Sequence, residues 1–408
     1  MTLAGDAAAE VRLLLIGRGL RAFVDGYVAI LLPAYLLALG YDTWHVGLLS
    51  TATLLGSALA TLALGAWGHR AAPRTLLLAA ALLMTATGLG FAGLSDFWPL
   101  LLVAFVGTLN PSAGDVSVFL PLEHSRLAIA AEGNVRTRLF ARYSLTGALC
   151  AAIGALAVGA PDALAGLGVD RLLALRLMFV AYAGVGALIW LLYALLPSRP
   201  QGTPAPAMSS LGPSRGIVVR LAALFSVDAF AGGLVVNSLL ALWLFERFGL
   251  SLAAAGAFFF WAGLLGALSQ LVAPRLARRI GLLNTMVFTH IPSSLFLILA
   301  AFAPDLGLAL SFLLLRAALS QMDVPTRSAY VMAVVTPPER AAAASFTAVP
   351  RSLAAASSPT LAGLLFAGGW FAAPLVACGV LKIAYDLALW RSFWRHAVDQ
   401  VVSKAESR

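Results

Sequence analysis

Charged side chains are scarce in this sequence: Asp, Glu, Lys and Arg make up 11% of its 408 residues, against about a quarter in a soluble globular chain. That shortage excludes a soluble protein, whose surface could not be covered. Cysteine is almost missing, with 2 residues. Cys150 and Cys378 both stand in apolar runs without a spacing partner, so neither a disulfide framework nor a metal site is indicated. No phosphate-binding loop with its lysine is present, which leaves out an ATP-driven cycle. No Cys/His metal spacing occurs and no Ser/His/Asp set stands outside the apolar runs, so nothing points to an enzyme or to a cofactor. Long polar stretches are missing too, with one exception, PSRPQGTPAPAMSSLGPSRG at 197–216.

What is abundant is apolar sequence. Hydrophobic residues are 61% of the chain and the mean hydropathy is +0.92. The apolar runs do not alternate as barrel strands must; WPLLLVAFVG from Trp98 is an example. The spans are therefore helices, and at about 20 residues each the chain has room for twelve. They are expected at about 12–39, 44–67, 74–94, 97–122, 139–160 and 172–196, and then at about 217–246, 252–275, 282–303, 306–333, 343–367 and 370–394. The Pro-, Gly- and Ser-rich stretch 197–216 reads as a flexible linker. The expected organisation is a six-helix half at 1–196, the linker, a second half at 217–394 and a tail at 395–408. Pro33, Pro111, Pro325 and Pro359 are expected to kink their helices, which neighbouring helices tolerate.

The formal net charge of +9 invites a nucleic-acid reading, but the placement of the arginines argues otherwise. Arg70, Arg74, Arg126, Arg136, Arg138, Arg278, Arg279 and Arg340 fall in loops on one side. The alternate loops hold Asp42, Asp96, Asp162, Asp170 and Asp305 with little beyond Arg171 and Arg247. By the positive-inside rule both termini and the linker face the cytoplasm. The bilayer, not nucleic acid, is the expected environment: a multi-pass monomer of the cytoplasmic (inner) membrane. Asp6 and Glu10 precede the first apolar run where a signal peptide would be basic, so that run is expected to be kept as a span.

The two halves repeat each other. Gly40 and Gly249, Gly47 and Gly256, Arg70 and Arg279, and Arg142 and Arg351 all share one offset, in matching topological positions. Parallel six-span repeats are an arrangement of secondary transporters. With these residues the chain resembles the major facilitator superfamily along nearly its whole length. The loop signature after that family's second span, roughly G-x-x-x-D-R-x-G-R-R, is met by GAWGHRAAPR at 65–74. Arg70 and Arg74 are kept; His69 and Ala72 replace the usual Asp and Gly. The second copy, RLARRIG, keeps Arg279 and Gly281 but has Arg278 at the acidic position. Arg316 is similar to the arginine that proton-coupled antiporters carry in the fourth span, though here it stands in the tenth, and Gly107 holds the place in the fourth. The antiporter Gly-Pro signature is reduced to GAP at 159–161.

Charges inside apolar runs are the sharpest signal. Arg18, Arg21 and Asp25 are spaced by three and four and share a helix face. Asp25 is about 20 Å into its span, near mid-membrane. A charge there costs at least about 2.5–3.5 kcal/mol, and an i,i+4 pair of Arg21 with Asp25 is one way to offset it. Asp228 lies at a similar depth in the seventh span. The fourth carries Thr108, Ser112 and Asp115 on one stripe beside Asn110 and Pro111, and the tenth carries Arg316, Ser320, Asp323 and Arg327. In the resembled family, spans one, four, seven and ten line a central cavity, which here places one aspartate on each: Asp25, Asp115, Asp228 and Asp323. For Asp25 and Asp228 a coupling or substrate role stands against an internal ion pair. Lys382 and Asp386, four apart in the last span, read as a self-contained pair, and His290 as a hydrogen-bonded core residue.

These readings converge on an all-α integral membrane protein with the major facilitator fold, two pseudo-symmetric halves of six helices, moving a small molecule by alternating access with protons. The expected cavity set is Asp25, Arg21, Asp228, Arg316, Asn110 and Ser320. The expected cytoplasmic gate comprises Asp115, Asp323, Arg327, Arg70, Arg142, Arg279 and Arg351, with Asp115 and Asp323 pairing to Arg70, Arg142, Arg279 or Arg351. Export of a drug-like or metabolite substrate leads; uptake of a sugar, organic acid or nutrient ion complex is the alternative, and a receptor or scaffold without net flux is the alternative from another class.

Overall fold

Proline and glycine decide where these apolar helices break. A computed structural model describes residues 5–112, 117–130, 133–197, 212–336 and 339–406, without the side chains of 5–6, 133–134, 137, 341 and 395–406. Its elements are helices throughout, with no strand among the described residues. Ten helical stretches among these residues are long and apolar enough to cross a membrane. They fall on the expected spans other than the fourth and the eleventh. The first, α1 (Gly5–Ala38), runs through Pro33 without ending. It is followed by α2 (Thr43–Trp67) and α3 (Pro73–Gly93).

The fourth expected span is not one helix. It comprises α4 (Phe97–Val106) and α5 (Phe119–Ala130), and Gly107–Ser112 between them is not helical. Pro111 has no N–H to give and pushes Asn110 away from helical backbone, so Thr108, Asn110 and Ser112 form a turn rather than a stripe. Asn110 Oδ1 accepts from Ser112 N at 3.1 Å and Ser112 Oγ at 2.8 Å. Asp115 lies outside the described residues. Next come α6 (Gly133–Leu156), α7 (Ala160–Gly166) and α8 (Arg171–Ala194). The seventh span divides into α9 (Arg215–Gly233) and α10 (Asn237–Phe248) after the Gly232–Gly233 pair. Two long helices, α11 (Leu252–Ile280) and α12 (Leu282–Ala301), follow. The tenth span divides into α13 (Leu306–Ser320) and α14 (Asp323–Val334), with Pro325 in the first turn of α14, where a missing N–H costs little. The eleventh divides into α15 (Arg340–Ser357) and α16 (Pro359–Ala367), Pro359 starting the second piece. The last helix is α17 (Ala373–Glu406).

The acidic residues of the less basic loops have structural work. Asp42, Asp170 and Asp305 each accept a backbone N–H three residues on, at 3.3, 3.0 and 2.9 Å, and so cap α2, α8 and α13.

The chain forms two compact units: residues 1–205 with 236–260, and residues 206–235 with 261–408. In the first, α1 packs on α6 and α3 on α8; in the second, α9 packs on α15 and α12 on α17. The same pairs of spans thus meet in each unit. Close backbone approach makes the α1–α6 contact possible. A Cβ at Gly26 would collide with the Ala151 carbonyl, and one at Gly154 with that of Phe23. Small residues at such crossings are what lipid-embedded helices need.

Candidate functional site

In the first unit the charges gather around Glu123, a residue the sequence reading passed over. Glu123 is on α5 and 0% exposed. Its carboxylate takes both arms of the Arg21 guanidinium, Nη1 to Oε1 at 2.7 Å and Nη2 to Oε2 at 2.8 Å. Tyr143 of α6 and Tyr193 of α8 donate their hydroxyls to the two oxygens. Arg21 lies over the Phe119 ring at 4.3 Å and Arg18 over the Tyr143 ring at 5.1 Å. This corrects the expected pairing of Arg21 with Asp25: a carboxylate on another helix offers two coplanar acceptors, which a helical neighbour four residues away does not. Asp25 remains 7% exposed, and its Oδ1 has no hydrogen-bond partner among the described residues. Nearby, Arg126 of α5 pairs with Glu10 at 2.6 Å and donates to the Pro197 carbonyl at 3.0 Å.

The second unit holds a longer network. Asp228 of α9, 4% exposed, accepts from Lys382 Nζ at 2.6 Å and from Arg327 Nη2 at 3.1 Å. The same Arg327 nitrogen also meets Asp323, one turn earlier on α14. His290 of α12 joins Asp386 of α17 through Nδ1 at 3.1 Å, while its Nε2 lies 3.3 Å from Lys382 Nζ and 3.9 Å from Asp228. The expected Lys382–Asp386 pair therefore does not form. Each of these side chains has a partner on a different helix, at a distance sequence spacing cannot see. His290 is hydrogen-bonded and buried, as expected.

The two units use their first and fourth spans alike, with signs exchanged. Arg21 on α1 holds Glu123 on α5, whereas Asp228 on α9 holds Arg327 on α14. In this pairing Asp228 plays the part in its unit that Arg21, rather than Asp25, plays in the other.

Of the expected gate residues, Asp323 has Arg327 as its ion-pair partner. Arg70, Arg142, Arg279 and Arg351 are exposed and form no ion pair among the described residues. Arg351 is close enough to Asp228, Asp323 and Arg327 to feel their charges. Asn110 is buried in its turn, Ser320 ends α13 partly buried, and Arg316 is partly buried in α13. An open groove of about 290 Å³ in the first unit, lined by Ala60, Leu64, Trp67, Leu76 and other apolar residues, includes none of these charged groups.

Comparison with known proteins agrees with this architecture. The sequence pattern of the Major Facilitator Superfamily matches residues 14–319. An uncharacterized membrane protein of Saccharomyces cerevisiae, YJR124C, is 25% identical over 442 residues, covering 98% of this chain and 97% of its own. Among solved structures, a bacterial homolog to the human lysosomal transporter Spinster, inward-facing and occupied, matches with a TM-score of 0.75 at 16% identity, over 97% of this chain and 99% of that one. A D-xylose-proton symporter matches with a TM-score of 0.73, also at 16% identity, over 95% and 98%. At such identities the likeness is one of fold.

Proposed function

Because the chain belongs to the Major Facilitator Superfamily, we propose that it is a proton-coupled secondary transporter of the cytoplasmic membrane, exporting a small drug-like or metabolite molecule by alternating access. The observation that carries the coupling is Asp25. It sits deep in α1, its Oδ1 has no donor among the described residues, and the arginine one turn before it is committed to Glu123. A carboxyl so placed is far cheaper to bury with a proton than without one, which suits a site that loads and releases a proton. Asp228 serves differently. Held by Lys382 and Arg327, it is a charge set whose partners can be exchanged as access changes, with Asp323 and Arg327 as its cytoplasmic extension. Residues 1–196 and 217–394 act as the two repeats, and both termini face the cytoplasm.

The test is flux in proteoliposomes under an imposed proton gradient, scored in both directions. Asp25→Asn is expected to abolish gradient-driven transport while keeping substrate exchange. Uptake down the proton gradient would reverse the direction proposed. Undiminished proton-driven flux in Asp25→Asn would overturn the coupling, and no flux of any solute would leave the receptor or scaffold reading.

A further inference from the structure

Arg316 is a cation of the second unit to which the described structure brings no anion. Its backbone carbonyl accepts from Ser293 Oγ at 3.3 Å, which fastens α13 to α12. The ionisable group near its guanidinium is the Cys378 thiol of α17. The buried acids of this unit's charge network are held elsewhere: Asp228 by Lys382 and Arg327, Asp323 by Arg327, and Asp386 by His290. An arginine keeps its charge in a protein. In the interior of a membrane span it needs water or an anion beside it.

We infer that Arg316 receives the charged group of the transported molecule, and that this molecule is a monovalent organic anion, a carboxylate. The inference rests on the transporter reading above and adds the substrate class. A guanidinium presents two parallel N–H groups that match a carboxylate. One positive charge balances one negative charge, so a dianion such as a phosphate monoester would leave charge uncompensated. One turn before Arg316, on the same face of α13, stands Phe312, stacked on Phe296 of α12 with ring centroids 6.2 Å apart. That aromatic surface suits an apolar body attached to the carboxylate, and gives a bare inorganic anion nothing to pack on.

The experiment is a thermal-shift titration of the purified full chain with matched pairs: benzoate, phenylacetate and octanoate against benzamide, phenylacetamide and octanamide, with inorganic phosphate and chloride alongside. The acids are expected to raise the melting temperature in a saturable way and the amides are not. Arg316→Gln should weaken the response to acids by roughly tenfold or more, and Arg316→Lys should keep part of it. Both variants should melt, unliganded, at or above the parent, since each removes or reshapes a charge without breaking a pair. Equal stabilisation by amides, a response that survives in Arg316→Gln, stronger stabilisation by phosphate, or no response to any of the acids would each overturn the inference. Binding is read without a gradient. Loss of proton-driven flux therefore leaves this result standing, and a negative result here leaves the transporter reading intact.

Discussion

Arg21 and Glu123 join α1 to α5 across 102 residues of sequence by two parallel hydrogen bonds of 2.7 and 2.8 Å. Both are buried, and removing one partner strands the other. Glu123→Ala is therefore expected to cost about 3–5 kcal/mol, whereas replacing both with Met should restore most of that loss. The check is melting of the purified single variants and the double variant. A double variant no more stable than Glu123→Ala would mean that the pair is not the source of the loss.

The contrast between Asp25 and Asp228 gives a second expectation. Asp25 has an oxygen with no donor among the described residues; Asp228 has Lys382 on one oxygen and Arg327 on the other. Neutral Asn at position 25 should leave stability unchanged or improve it. Asn at position 228 releases two buried cations and should cost several kcal/mol, part of it recovered by adding Lys382→Met. Melting curves of the three variants decide. Equal losses from Asp25→Asn and Asp228→Asn would contradict the assignment.

Much of this was legible because a charge in an apolar run is conspicuous. Asp25, Asp228 and Asp323 were readable in that way; at Pro111, Pro325 and Pro359 the sequence suggested kinks within continuous spans, whereas the structure has separate helices there. Glu123 was not. It lies one residue past the expected end of the fourth span, where an acid reads as part of a solvated loop. The signal that could have found it is Arg21 itself, a buried arginine whose only nearby acid in sequence was also wanted elsewhere. Lys382 and Asp386 misled for a related reason. Spacing of four names a possible neighbour on one helix and is blind to Asp228 and His290 on two others.

Helix crossing supplies a third test. A methyl group at Gly26 or Gly154 would meet a backbone carbonyl of the facing helix, which cannot move aside as a side chain can. Ala at either position is expected to destabilise the first unit by about 1–3 kcal/mol. Gly184, in α8, has nothing within 4 Å of the same built position, so Gly184→Ala should be neutral or gain up to about 1 kcal/mol from helix propensity. Melting of the three alanine variants separates close packing from a general intolerance of substitution.

The last expectation concerns pH and the start of α9 in the second unit. Glu339 precedes α15 and is buried. It accepts from Thr336 Oγ1 at 2.6 Å, from Ser214 N at 3.3 Å and from Gly212 N. It thereby ties the start of α9 to the chain between α14 and α15. Hydrogen bonds from Ser214 and Thr336 favour the ionised carboxylate and hold it at about 2, below the ordinary value of 4.5. A carboxylate depressed in this way stabilises the folded state above its unfolded value. The contribution is lost as pH falls through the folded value. The window is therefore about pH 4.5 down to about 2. Glu339→Gln removes the charge at every pH and should melt below the parent at neutral pH. The gap between the two should stay constant above about pH 5 and close as the pH approaches 2. Melting temperatures of parent and variant across that range measure it, and a gap that persists unchanged at pH 2 would show that Glu339 acts there by shape rather than by charge.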